Sequence, residues 1–179
     1  SFGCIGARTV ESQCHRHLVS GLSMPCGFKN RSDGDIRSAV QACQCAASPR
    51  GFIGVNIAGE PCMIQTTGNR HLCVVLRGSY THGPNWDRVL GTRVLLAESG
   101  LVSAGVVVDC AHGNSGKTVE GQRRVSELLR TAHGVRGGSL RGIMLESYLR
   151  EGRGEAPDVS LTDPCLSIAD TRSLLEGWA

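Results

Sequence analysis

Charged or metal-binding side chains follow five short apolar runs of the chain. The five are Arg8 after Cys-Ile-Gly-Ala, Lys29 after Cys-Gly-Phe, Arg77 after Val-Val-Leu, His112 after Val-Val-Val-Asp-Cys-Ala, and Glu146 after Gly-Ile-Met-Leu. In a parallel βα barrel the carboxyl ends of the strands form the active-site face. Three of the five are cations, so their convergence indicates an anionic ligand such as a phosphate or a carboxylate. A single charged residue often only begins a loop, but five in register favour a shared site.

His112, Glu146 and Asp163 come from different predicted loops and together offer one imidazole and two carboxylates. A mixed nitrogen and oxygen donor set suits a divalent ion such as Mn, Fe, Co or Zn. The spacing leaves a plainer alternative open, in which His112 is a structural residue and Asp163 caps the segment that leads to Leu166. The sequence therefore offers a metal site as a hypothesis.

The two lysines stand out because 17 of the 19 basic residues are arginine. Lys29 and Lys117 either escaped a general preference for arginine or are needed as lysine, and composition alone does not decide between these two interpretations.

The sequence contains no GxSxG, P-loop, HExxH or GxGxxG motif. Serine hydrolase, NTPase, zincin and Rossmann functions therefore have no support.

Short apolar runs alternate with longer amphipathic stretches, which is typical of βα units around a parallel sheet. The predicted strands are 4–7, 25–28, 52–57, 72–76, 105–110 and 142–145. Segment 62–65, followed by Thr-Thr-Gly-Asn, predicts an extra strand that pairs with 52–57 as a hairpin outside the main sheet. The pattern therefore predicts an α/β fold with one inserted hairpin.

Apolar residues at helical spacing predict a helix over 35–47, with Ser32 or Asp33 as its N-cap. Two further helical patterns precede Gly100 and Gly134, and each glycine is a plausible residue at which a helix ends. These helices lie between the predicted strands, as βα units require.

Length and charge limit the classes of protein that the chain can represent. Its 179 residues suit one globular domain, and a net charge of +3 without a basic tract argues against a nucleic-acid partner. No apolar run approaches the ~20 residues that span a bilayer, and no signal peptide is evident, so no membrane partner is expected. Nine cysteines without a CxxC pair favour reduced, buried thiols in a cytoplasmic protein.

Several longer strings resemble class I 3-deoxy-D-arabino-heptulosonate 7-phosphate (DAHP) synthases, and more narrowly the feedback-regulated bacterial subclass. They are Gly-Ala-Arg-Thr-Val-Glu-Ser-Gln at 6–13, Gly-Phe-Lys-Asn at 27–30 with Asp-Gly at 33–34, Thr-Gly-Asn at 67–69, Leu-Arg-Gly at 76–78, Asp-Cys-Ala-His-Gly-Asn-Ser-Gly-Lys at 109–117, Glu-Ser at 146–147 and Thr-Asp at 162–163. The resemblance runs along the whole chain. The related octulosonate-phosphate synthases fit the strings around Arg8 and His112 less well.

The resemblance implies condensation of phosphoenolpyruvate with D-erythrose 4-phosphate to DAHP and phosphate, the first step of the shikimate pathway to aromatic amino acids. It assigns Arg8, Lys29 and Arg77 to phosphoenolpyruvate binding, and His112, Glu146 and Asp163 to a divalent metal ion. It also makes Lys29, His112 and Lys117 the expected catalytic residues. The implied fold is a (β/α)8 TIM barrel, of which residues 1–179 cover roughly strands 4 to 8 plus the hairpin.

Two departures from the family pattern matter for function. Ala111 stands where family members usually carry serine. The first barrel strands, which carry a cysteine metal ligand and a Lys-Pro-Arg-Thr substrate loop, have no counterpart, so the isolated chain is expected to be inactive. The alternative to a catalytic part is a truncated, non-catalytic remnant or interaction module of the same fold.

The resemblance also implies regulation and assembly. Regulated relatives bind an aromatic amino acid near the positions matched by Leu18, Leu22, Ser23, Phe52 and Gly54, and several carry serine where Gly54 stands here. We therefore expect inhibition by phenylalanine or tyrosine to be altered or lost. The full-length form is expected to be a homo-oligomer.

Overall fold

The computed structural model describes residues 1–79, 81, 83, 86–136 and 140–178. The chain divides into two compact units, of which the first comprises Ser1–Arg31, Asp35–Val75 and Thr92–Gly105, and the second Ser32–Gly34, Leu76–Gly91 and Val106–Ala179. The strands are β1 (Gly3–Ile5), β2 (Cys26–Lys29), β3 (Gly51–Val55), β4 (Pro61–Gln65), β5 (Leu72–Leu76), β6 (Gly105–Asp109), β7 (Gly142–Met144), β8 (Ser147–Tyr148) and β9 (Leu166–Ser167). The helices are α1 (Gln13–Ser20), α2 (Arg37–Ala47), α3 (Trp86–Glu98), α4 (His112–Ser115), α5 (Val119–Arg136) and α6 (Ile168–Glu176).

The first unit is built on parallel strands. β1 pairs with β2 from Gly3↔Cys26 to Ile5↔Phe28, and β2 pairs in turn with β5. Every residue of β5 is buried, as expected for a strand of a parallel sheet that is covered on both faces. The predicted α/β organisation with parallel strands is therefore confirmed.

The predicted hairpin is also present. β3 and β4 pair antiparallel from Gly51↔Gln65 to Val55↔Pro61 and form a two-stranded sheet of their own. A buried hydrogen bond of 2.8 Å between the Ser20 and Thr66 hydroxyl groups fixes its base to α1. The His17 imidazole stacks on the Phe52 ring, with the ring centroids 5.6 Å apart. The hairpin is thus attached to α1 both at its base and along β3.

The predicted N-cap of the second helix is wrong. α2 begins at Arg37, and the Asp35 carboxylate, not Ser32 or Asp33, accepts hydrogen bonds from the backbone amides of Arg37 at 3.3 Å and Ser38 at 3.0 Å. Burial acts to raise the pKa of Asp35, but hydrogen bonds from Ser38 and Arg37 outweigh it and hold the pKa below its usual value. The ionised Asp35 side chain therefore stabilises the start of α2.

The second unit contains parallel pairs of strands as well. β6 pairs with β7 from Val107↔Gly142 to Asp109↔Met144, and the two-residue strands β8 and β9, which the sequence did not predict, are also parallel. Gly100 has a φ of +75° just past α3, as predicted for the end of a helix. The prediction that Gly134 ends a helix is wrong, because α5 continues to Arg136.

The cysteines follow the prediction in part. All nine are free thiols, five of them buried, whereas Cys4 and Cys14 are exposed. Burial raises the pKa of Cys73 and of Cys110 to about 12 in each case. The Cys73 and Cys110 thiols are therefore protonated and unreactive near neutral pH. Among the described residues, no helix is both long and apolar enough to cross a membrane.

Candidate active site

The His112 side chain is oriented by an aspartate at the end of β6. The Asp109 side chain is fully buried, and its Oδ1 accepts a 2.9 Å hydrogen bond from the Ala111 amide. Its Oδ2 lies 2.9 Å from His112 Nδ1. His112 has a φ of +50°, which turns the chain back so that the imidazole reaches the aspartate. This contact leaves Nε2 as the ring nitrogen that can bind a ligand.

Two carboxylates face the free side of this imidazole. Glu146 lies just after β7, and its Oε1 is 3.4 Å from His112 Nε2. One possible ligand atom each from His112, Glu146 and Asp163 forms a set in which all three atoms lie within 4.8 Å of one another. All three side chains are partly buried. One imidazole nitrogen and two carboxylate oxygens at this spacing fit a divalent metal ion, so the structure brings the three predicted ligands together.

Lys117 lies beside this set of ligands. Its backbone amide donates to the His112 carbonyl at 3.0 Å, and its φ is +58°. The Lys117 ammonium group donates to Asp163 Oδ1 at 3.3 Å. The second lysine of the sequence therefore contacts a predicted metal ligand directly.

Arg77 enters a small cleft of the same unit. The cleft has a volume of about 180 Å³ and is lined by Ser32, Arg77, Ser79, His112, Gly113, Gly116 and Lys117. Asn114 fixes its wall, because its side-chain amide donates to the carbonyls of Leu76 at 3.0 Å and Asp109 at 2.7 Å. The cleft thus holds two cations next to the imidazole, which suits an anionic ligand.

Arg8 and Lys29 belong to the first unit. Lys29 is the last residue of β2 and is partly buried, whereas Arg8 is exposed in the turn that follows β1. Because β1 and β2 are parallel neighbours, both residues lie toward the carboxyl edge of that sheet. Their convergence with Arg77 stays a prediction.

Three residues that the sequence analysis did not single out support the site. Asp109 and Asn114 lie within a quoted family string, but nothing in their types or spacing marked them as positioning groups. Gln122 carries no signal in the sequence at all, although its buried side chain hydrogen-bonds to the backbone beside two predicted ligands. Such roles depend on side-chain direction, which a sequence pattern does not contain.

The chain is thus an α/β protein with parallel strands and a candidate metal-binding active site at the ends of β6 and β7. A family model described as the DAHP synthetase I family matches residues 1–176. The chain therefore belongs to the DAHP synthetase I family.

Individual relatives agree with this assignment. A Tyr-sensitive phospho-2-dehydro-3-deoxyheptonate aldolase from Enterobacter agglomerans is 41% identical over 98% of the chain and 85% of the relative. A Tyr-sensitive relative from Escherichia coli K12 is also 41% identical over 98% of the chain, but over only 51% of its own length. The chain superimposes on a solved phospho-2-dehydro-3-deoxyheptonate aldolase from Francisella tularensis with a TM-score of 0.90 and 35% identity, covering 99% of the chain and 53% of that protein. The chain thus spans about half the length of most of these relatives.

Proposed function

We propose that this chain is the catalytic carboxyl-terminal part of a DAHP synthase. The reaction joins phosphoenolpyruvate to D-erythrose 4-phosphate and releases phosphate, the first step of the shikimate pathway. The observation that carries the proposal is the clustering of His112, Glu146 and Asp163 within 4.8 Å, in a chain that belongs to this family.

The charged residues have distinct proposed roles. Arg8, Lys29 and Arg77 bind the phosphate and carboxylate groups of phosphoenolpyruvate, because cations are needed to hold its negative charge. His112, Glu146 and Asp163 hold a divalent ion, whether Mn, Fe, Co or Zn.

The proposed reaction follows from these positions. When bound, the ion supplies Lewis-acid polarisation of the aldehyde oxygen of erythrose 4-phosphate. C3 of phosphoenolpyruvate attacks the aldehyde carbon, water adds at C2, and phosphate leaves. Lys117, next to Asp163, adds positive charge near the oxygen on which negative charge develops.

The proposed architecture is that of a barrel part. We assign β1, β2, β5, β6 and β7 to roughly the fourth and later strands of a (β/α)8 barrel, with β3 and β4 as an inserted hairpin. The match to about half of a solved relative supports this assignment. We further propose a cytoplasmic location and, for the full-length form, a homo-oligomer.

Regulation by an aromatic amino acid is proposed to be altered or lost. The hairpin supplies the specific observation, because a Cβ atom at Gly54 would lie 2.5 Å from Ile64 Cγ1. The Ile64 side chain therefore occupies the space that a larger residue at position 54 would need. A site that depends on a side chain there would be rearranged.

A chimera tests the proposed activity directly. Residues 1–176 of this chain replace the matching segment of the Escherichia coli Tyr-sensitive relative, so that this relative supplies the remaining barrel strands. DAHP formation is measured with Mn²⁺, phosphoenolpyruvate and erythrose 4-phosphate. We expect the chimera to form DAHP, and the same chimera with His112→Ala to lose the activity.

The isolated chain serves as the comparison. We expect it to form no measurable DAHP, because the family pattern places further metal and substrate contacts in strands that these 179 residues do not contain. A folded chimera without activity would favour the alternative, a non-catalytic module. Activity that survives His112→Ala would contradict the proposed role of the metal ligands.

A further inference from the structure

The side chain of Gln122 is buried inside the second unit, where a polar group must find hydrogen-bond partners. Gln122 lies on the first turn of α5 and is only 1% exposed. An amide that is removed from water without hydrogen-bond partners lowers the stability of the folded protein. A buried glutamine therefore either forms specific hydrogen bonds or lowers the stability of the fold.

The partners of this amide are the backbone groups of two loops. Gln122 Oε1 accepts from the Glu146 amide at 2.9 Å, and Gln122 Nε2 donates to the Glu146 carbonyl at 3.4 Å. The same Nε2 also donates to the Pro164 carbonyl at 3.4 Å. The Gln122 side chain thus hydrogen-bonds to both backbone groups of Glu146, which is one proposed ligand. It also hydrogen-bonds to the residue that follows Asp163, which is another proposed ligand.

The start of α5 packs against the segment that follows His112, the third proposed ligand. Gly121 packs so closely on this loop that a Cβ atom there would lie 2.0 Å from the Ser115 carbonyl oxygen. The Thr118 hydroxyl donates to the same carbonyl at 3.0 Å and accepts from the Gly121 amide at 3.0 Å. The position of Gln122 is therefore set relative to α4, which begins at His112.

Through these contacts, the start of α5 connects the backbone segments that carry all three proposed ligands. We propose that Gln122 is a positioning residue that holds Glu146 and Asp163 at binding distance from His112. This inference rests on the proposed metal centre and goes beyond it, because Gln122 contributes no ligand atom. Its effect is on the metal affinity, since ligands that must first be brought together bind more weakly than ligands already in place.

The experiment measures Mn²⁺ affinity, by electron paramagnetic resonance of the free ion, in the 179-residue chain and three variants. Gln122→Met keeps the shape and removes every hydrogen bond, and Gln122→Glu keeps the acceptor but removes both donated bonds. Ser126→Ala is the matched control, because Ser126 is one turn along α5, equally buried, and accepts a hydrogen bond from Trp178 Nε1 at 3.1 Å. Circular dichroism restricts the comparison to the folded protein.

We expect Gln122→Met to weaken Mn²⁺ binding by roughly 10- to 100-fold, the usual effect of losing a group that supports a metal ligand. Gln122→Glu should weaken binding to an intermediate degree, and Ser126→Ala should change it less than about threefold. A merely structural role for Gln122 predicts lower stability with unchanged Mn²⁺ affinity of the folded protein.

Equal affinity of the wild type and a folded Gln122 variant would overturn this inference alone. If Gln122→Met does not fold, the same comparison with Gln122→Glu decides. A wild-type chain that binds no Mn²⁺ would overturn both the proposed metal centre and the inference drawn from it.

Discussion

Two residues of the candidate site have a positive φ, a backbone conformation that residues other than glycine rarely adopt. His112 and Lys117 have φ values of +50° and +58°. His112 is the first residue of the short helix α4, and Lys117 follows this helix. Such conformations cost of order 1 kcal/mol or more each and persist only where surrounding contacts enforce them. Here the Asp109 contact holds the imidazole, and the Lys117 amide donates to the His112 carbonyl. The strain is therefore located at the residues to which we assign the chemistry.

Asp109→Asn tests whether the buried carboxylate prepares His112 for metal binding. The asparagine amide group can donate to Nδ1, which would move the ring proton to Nε2 and block the nitrogen that faces Glu146. We expect the affinity for Co²⁺, measured by isothermal titration calorimetry, to fall by roughly 10- to 100-fold. Asp158→Asn is the control, because Asp158 pairs with Arg150 and not with a proposed ligand. Unchanged affinity in Asp109→Asn would contradict the proposed role of Asp109.

Lys29→Arg tests whether this position needs lysine in a chain that otherwise prefers arginine. The ammonium group is compact, whereas the wider, planar guanidinium group would displace a substrate that, in the proposed function, Arg8 and Arg77 also bind. We expect the chimera to retain less than about a tenth of its kcat/KM, a loss above ~1.4 kcal/mol. Arg172→Lys, at an exposed position of α6, is the control. Retention of more than about a tenth of the kcat/KM would argue against a need for lysine at position 29.

At the residue scale, the sequence predicted which groups carry charge but not what holds them. His112, Glu146 and Asp163 could be proposed as ligands from the sequence because imidazole and carboxylates are what a divalent ion binds. Asp109 and Gln122 were not, because a buried aspartate at a strand end and a glutamine within a helix are ordinary in type. Their roles appear only once the turn at His112 and the packing of α5 are known.

Asp35→Ala tests the start of α2 at the scale of one element. Loss of the capping carboxylate is expected to lower the free energy of unfolding by about 1 kcal/mol at pH 7, measured by urea denaturation. The pKa of Asp35 is lowered in the folded protein, so its ionised form stabilises the fold above the unfolded pKa. This stabilisation is lost as the pH falls through the folded pKa. The difference between wild type and variant should therefore shrink in acid, and a difference that does not depend on pH would contradict the account.

The hairpin of β3 and β4 carries the prediction on regulation. We expect phenylalanine and tyrosine to inhibit the chimera weakly or not at all, because Gly54 and Ile64 alter the region matched to the effector site of relatives. Gly54→Ser alone should not restore inhibition, since its Cβ atom would meet Ile64, whereas Gly54→Ser with Ile64→Ala removes that obstacle. An inhibition titration that gives ordinary micromolar sensitivity in the unmodified chimera would overturn this prediction.

Most strands could be predicted because their residues are apolar in short runs. All seven predicted strands are present, and their ends differ from the prediction by two residues at most. The two-residue strands β8 and β9 were missed, because such short segments have no periodicity of their own. The ends of the helices were harder to predict. Ser32, Asp33 and Asp35 all have side chains that can cap a helix, and the structure uses Asp35 at the start of α2. Gly134 lies inside α5 and does not end it.

At the scale of the whole molecule, two compact units carry different parts of the proposed chemistry. The proposed metal ligands, Arg77 and Lys117 all belong to the second unit, whereas Arg8 and Lys29 belong to the first. The metal centre can therefore be tested within one unit. The residues that we propose to bind phosphoenolpyruvate, Arg8, Lys29 and Arg77, come from both units. Activity is therefore best measured in the chimera.

The proposed function depends above all on a divalent metal ion held by His112, Glu146 and Asp163. The most direct measurement is anomalous X-ray diffraction at the manganese absorption edge, from crystals of the chain grown with Mn²⁺. We expect one strong anomalous peak in contact with His112 Nε2 and with a carboxylate oxygen of both Glu146 and Asp163. No peak at these residues at millimolar Mn²⁺, or a peak that persists there in His112→Ala, would contradict it.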